Sequence, residues 1–136
     1  MALARRNEAQ QAELHRIRDL IDRGHYDDAL QAVITLQQSV EGSTGALTFL
    51  LRGLALSGLG QPERAERSFR TAFSIVRYAP AGEIAAQRIL GSAAERLGLR
   101  DEALTAYQAV LAAVPDDAEA RSGLERLSRE RSRQRN

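Results

Sequence analysis

GHYDDAL at residues 24–30, GQPERAE at 60–66 and GLRDEAL at 98–104 are three copies of one phrase, and reading them together decides the fold. Each copy is a glycine, four mostly polar residues and an alanine, set between stretches whose apolar residues recur at helical spacing. The glycines are 36 and then 38 residues apart. A repeat of that length marks an array of helix pairs, in which each pair buries its apolar faces only by stacking on its neighbours.

Outward from the phrases, residues 2–22 carry Leu14, Ile17, Leu20 and Ile21 on one helical face, and Gly24 ends that helix because glycine takes the left-handed backbone freely. Asp27 and Asp28 open a second helix, as caps and as charges suited to its positive end. EGSTG at 41–45 closes it. The third helix, predicted over 46–59 (ALTFLLRGLALSGL), is apolar nearly all round and so needs neighbours on most sides. Gly60 stops it and Pro62 starts the fourth, over 62–77, where a missing amide hydrogen costs nothing. Pro80 marks that helix's end; the fifth is predicted over 81–97 and the sixth over 101–114, bounded by Gly98 and Pro115. Ala120, Leu124 and Leu127 define a polar-backed capping helix at about 117–130, followed by a basic flexible tail at 131–136. The expectation is an all-α chain with one domain over 1–130, built of repeats at about 10–45, 46–83 and 84–117.

Composition excludes several classes. An apolar content of 43% suffices for a core. The absence of cysteine removes disulfides, thiolate metal sites and cysteine nucleophiles. All nineteen basic residues are arginine, which removes the lysine of a phosphate-binding loop. No run approaches a membrane span, and MALARRNEAQ has no apolar stretch behind it, so a soluble, cytoplasmic protein is expected.

The matched positions hold small residues where helices meet: Gly53 with Gly91 in the first helix of a pair, and Ala29, Ala65 and Ala103 in the second. Val33, Phe69 and Tyr107 share a position one turn further on. Gly53, Gly60, Ala65, Phe69 and Ala72, then Gly91, Gly98, Ala103, Tyr107, Val110 and Pro115, resemble the tetratricopeptide repeat, over residues 10–117. The resemblance implies a right-handed helical-hairpin solenoid of three repeats plus a capping helix. Two departures stand out: Ile17 occupies a small-residue position in the first copy, and the second copy exceeds the usual ~34 residues by four near 74–81.

The resemblance also implies a non-catalytic protein-protein interaction module that presents a concave face, lined by the first helix of each pair, to a peptide or helix of a partner. The lining is then Gln11, Leu14, Arg18 and Ile21; Leu47, Leu50, Leu54 and Ser57; and Ala85, Arg88, Ser92 and Glu95. The leucine-rich centre favours an apolar segment. Leu47, Leu50, Leu51 and Leu54 fit the core of a tightly wound stack equally well. Some members clamp a terminal carboxylate; of the matching positions here, Leu14, Arg18, Leu51, Ala85 and Ile89, only Arg18 can bond an anion, which argues against such a clamp.

Other signals have plainer readings. His15 and His25 form no metal motif, so no metal or cofactor is expected. The doublets Asp27/Asp28 and Asp116/Asp117 lie at helix starts, where capping accounts for them without catalysis. GLALSGLG at 53–60 lacks a lysine and lies within a helix, so close packing explains its glycines. Residues 121–136 hold six arginines and two glutamates, but no aromatic is interleaved, which argues against nucleic acid. A homo-oligomeric scaffold joined through the third helix or an open end of the array is the alternative.

Overall fold

In the computed structural model, which describes residues 2–135 with side chains through 133, there are seven helices and no strand among the described residues. They are α1 (Ala2–Asp22), α2 (Tyr26–Gln37), α3 (Gly42–Gly58), α4 (Pro62–Val76), α5 (Ile84–Arg96), α6 (Arg100–Ala113) and α7 (Ala118–Arg135). Sequential helices pack as antiparallel pairs, and α1, α3, α5 and α7 also touch one another in order. No residues of α2 and α4, or of α4 and α6, come within 8 Å of each other by Cα. One row of helices is therefore close-packed while the other is splayed, which curves the stack with the odd-numbered helices inside. The apolar third helix has the neighbours its composition demands: α1, α2, α4 and α5.

The repeat phrases are helix stops of one design. Gly24, Gly60 and Gly98 have φ of +81°, +76° and +75°. At the middle one, the Gly60 N–H donates to Ser57 O and the Gln61 N–H to Leu56 O, both at 3.0 Å. These two bonds satisfy carbonyls the helix end would leave bare, and they reverse the chain. The Asp27 and Asp28 side chains make no capping bond, contrary to expectation; they sit in the first turn of α2 and act on its dipole alone.

Aromatic rings set the spacing of the helices. Phe69 of α4 packs against Gly53 of α3, where an added Cβ would come 2.5 Å from the ring. Tyr107 of α6, 1% exposed, is flanked on one edge by Gly91 and on the other by Gly123, with added Cβ atoms at 2.6 and 2.4 Å. In the first pair the sizes are reversed. Ile17 fills the place of the glycine and the smaller Val33 that of the ring, and both are fully buried in one cluster.

Several helix limits differ from the sequence reading. The α3 helix starts at Gly42 rather than at residue 46, because Gly45, Ala46 and Thr48 bury against the stack and the Thr48 hydroxyl bonds to Gly45 O at 2.6 Å. Tertiary contact there overrides the poor helix propensity of two glycines. The α5 helix starts at Ile84 rather than at 81, because the Pro80–Glu83 turn closes with a 3.0 Å bond from Glu83 N–H to Pro80 O. The tail expected to be flexible over 131–136 is helical as far as Arg135, while Met1 and Asn136 lie outside the described residues.

Because Gly91 and Gly123 enclose the Tyr107 ring from both sides, it cannot retreat from an added methyl. Gly91→Ala is expected to lose about 2–3 kcal/mol to overpacking, since the added carbon would stand 2.6 Å from the ring, and to regain about 1 in helix propensity, a net loss of about 1–2 kcal/mol. The melting temperature then falls by several degrees, whereas Gly82→Ala, with open space around it, leaves it unchanged. Equal melting curves for the two variants would contradict the wedge.

Candidate partner-binding groove

The inner face holds a recess of about 400 Å³ between α1, α3, α5 and α7. Its floor is apolar: Leu14, Leu47, Leu50, Leu51 and Ile89. Polar groups ring it, among them Gln11, His15, Arg18, Ser43, Thr44, Arg88 and Glu119. A smaller recess of about 170 Å³ continues from it, sharing Arg18, Leu50, Leu51 and Glu119 and adding Ile21, Leu54 and Ser92.

The structure brings Gln11, Leu14, Arg18, Leu47, Leu50, Ala85 and Arg88 to the larger recess, and Ile21, Leu54 and Ser92 to the smaller. The five clamp-equivalent positions, Leu14, Arg18, Leu51, Ala85 and Ile89, all line the larger one. Core and groove prove to be the same residues in part. Leu14, Leu50 and Leu51 are 6%, 3% and 1% exposed, so they show the recess only a sliver of surface, while Leu47 and Leu54 are half-buried.

Ser57 and Glu95 line neither recess. The Glu95 carboxylate instead accepts the Tyr107 hydroxyl at 2.7 Å and Arg126 at 2.8 and 3.0 Å. Burial alone would raise this carboxyl, but the bonds from Arg126 and Tyr107 overcome it and hold the group below its ordinary value. Burial and the Glu95 carboxylate push the Tyr107 hydroxyl up. The cluster joins α5, α6 and α7.

A second tie fixes the start of α7. Arg88 donates from Nε and Nη2 to Asp117 Oδ1 at 2.9 and 2.7 Å, and Asp117 Oδ2 accepts the Ala120 N–H at 3.0 Å. Asp117 is thus the cap expected of its doublet, and the Arg88 guanidinium holds its carboxyl below the usual range, with the Ala120 amide adding to the effect. Asp116, by contrast, is almost fully exposed. The two ties hold α7 as a fourth inner helix, so that Glu119 reaches to within 3.9 Å of Arg18 on α1, across the face.

That wall was missed in the sequence, where residues 117–130 read as a cap. Its signal was Gly123, a small residue on the buried face of α7 that lets the Tyr107 ring close against the helix. Among the described residues no three His, Asp or Glu side chains are grouped to hold a metal, and no helix is long and apolar enough to cross a membrane.

Stacked helix hairpins, closed by glycine stops and hollowed on their inner side, define a helical repeat array. The sequence model of one family, the tetratricopeptide repeat, matches residues 50–118, half of the chain, from the middle of α3 to the start of α7. The chain belongs to the tetratricopeptide repeat family. Repeats of this family are generally protein-protein interaction modules and typically non-catalytic. No curated protein matches the chain.

The two lowered carboxyls give a pH signature. A group whose folded pKa lies below its unfolded value contributes stability that is fully present above the unfolded value, near 4, and is lost as pH falls through the folded one. Urea unfolding is expected to show constant stability from pH 7 to 5 and a fall below about pH 4. Asp117→Asn should be less stable at pH 7 and should converge on the wild type by pH 2. Parallel pH curves for the two proteins would contradict the assignment.

Proposed function

We propose that this protein docks an extended, apolar segment of a partner protein in its inner recess. The observation that carries the reading is the recess itself, an apolar floor ringed by charged and hydroxyl groups on the concave side of the array. Few sites in a monomer keep leucine surface open to water within a polar rim.

An extended segment is favoured over a helix on grounds of width. A helix with its side chains is roughly 10–12 Å across. Arg18 and Glu119 already approach to 3.9 Å over the recess, and its 400 Å³ suits a few side chains rather than a helical cylinder. Of the groups around it, Arg88 is engaged by Asp117, so the adjustable charges are Arg18 and Glu119, half-exposed at 47% and 39%.

Ala85 makes the test clean, since it lines the recess yet is exposed. Ala85→Arg fills the recess from its wall without entering the core, and its stability is expected to stay within about 0.5 kcal/mol of the wild type. Peptides selected from a displayed library of linear dodecamers on the wild-type protein should carry apolar side chains and lose at least tenfold in affinity for Ala85→Arg. Leu50→Arg is unsuitable as a probe, because Leu50 is buried and an arginine there is expected to unfold the chain. Selected binders that ignore Ala85→Arg, or the recovery of none, would refute the proposal.

A further inference from the structure

The outer side of the array carries a second surface, independent of the inner recess. A depression of about 390 Å³ lies between α4, α5 and α6, over Phe73, Leu90 and Ala106. At its edge stands Tyr78, 84% exposed, the most exposed large hydrophobic side chain among those described. Tyr78 belongs to residues 77–83, the irregular connection that takes up the extra length of the second repeat.

A single exposed aromatic needs no explanation by itself. This one is held in place. Gln87 of α5, 4% exposed, donates from Nε2 to the carbonyls of Ala79 and Pro80 at 3.0 Å each, which ties down the chain just after the ring. The Arg77 guanidinium lies 4.9 Å from the centroid of the Tyr78 ring and 5.3 Å from that of Phe73. Stacked between two ring faces, it fixes the pair from one side. A tyrosine ordered before binding has little conformational freedom left to lose, which is the condition under which aromatic residues dominate interfaces.

Charge selects the occupant. Asp101 and Glu102 line the same depression from the first turn of α6, both exposed. The helix dipole explains their place in the chain. Yet neither carboxylate takes part in an ion pair or a side-chain hydrogen bond among the described residues, and neither does Arg77. Two carboxylates face one guanidinium that is already occupied with ring faces, so an incoming cation is attracted and an incoming anion repelled.

We propose that this depression docks a short segment of a partner protein in which a cationic side chain neighbours an apolar one. The apolar side chain covers Phe73, Leu90 and Ala106; the cation lies against Asp101 and Glu102, beside the Tyr78 ring. The chain's own arginine-rich end does not meet this description, since SRERSRQRN at 128–136 offers no apolar side chain beside its cations.

The test is an NMR titration of the ¹⁵N-labelled full chain with acetyl-Leu-Arg-amide, and in parallel with acetyl-Leu-Glu-amide. The arginine dipeptide is expected to shift amides clustered around Phe73, Tyr78, Leu90, Asp101 and Ala106, and the glutamate dipeptide to leave them in place. Asp101→Asn combined with Glu102→Gln, and separately Tyr78→Ser, should cut the shifts at least fivefold. All three positions are exposed, and an otherwise unchanged spectrum verifies that the fold persists. Equal shifts with both dipeptides, shifts confined to the inner face around Leu47 and Ala85, shifts that survive these substitutions, or none at all would overturn the proposal.

Discussion

The contact on which the structure depends is the ring of Tyr107 lying between two glycines on different helices. Gly91 belongs to α5, the other helix of the same hairpin, and Gly123 to α7, the next helix of the inner row, so one side chain sets both the spacing inside a hairpin and the spacing to its neighbour. Phe69 does the first of these jobs over Gly53. Because packed interiors behave as close-packed solids, these distances are fixed to a fraction of an ångström, and the curvature of the array inherits that precision. The first hairpin reaches the same end with Ile17 and Val33, exchanging which helix carries the bulk.

The inner recess depends on α7 more than its polar sequence suggests. The Arg88–Asp117 pair and the Tyr107–Glu95–Arg126 cluster dock it on α5 and α6, and Arg100 adds a 3.2 Å bond to Leu127 O. Both clusters are partly buried and geometrically complete, the setting in which charged hydrogen bonds contribute most. Their effect is to turn an end cap into the fourth wall of the inner recess and to carry Glu119 toward Arg18. A carboxylate and a guanidinium from opposite ends of the array then stand over an apolar floor.

The fold was legible because its punctuation is chemical. A positive φ at the same point of three repeats favours glycine, and a ring packed against a helix leaves room for nothing larger, so turns and contacts alike are written as Gly24, Gly60, Gly98, Gly53 and Gly91. Less was legible at the ends of α3 and α5, where Gly42, Gly45 and Pro80 are breakers by propensity and only burial or a turn bond decides the outcome. The groove was readable as a stripe of positions but not as surface. Whether Leu50 is floor or core depends on how closely α1, α3 and α5 pack, and that distance is not a property of any one helix. Glu95, expected on the lining, lines neither recess for the same reason: its carboxylate is held by Arg126, 31 residues away.

The central claim is that a tight inner row and a splayed outer row make the concave face, and distances between spin labels measure it most directly. The native chain has no cysteine, so labels can be placed at will. Gln11 and Ala85 are equivalent positions on inner helices two repeats apart, and Ile34 and Gln108 are equivalent positions on outer ones; all four are exposed. Inner helices stacked at roughly 8–10 Å per step predict a short, narrow distribution for the first pair and a clearly longer one for the second. Equal distances for the two pairs would describe a flat stack, with no hollow to receive a partner.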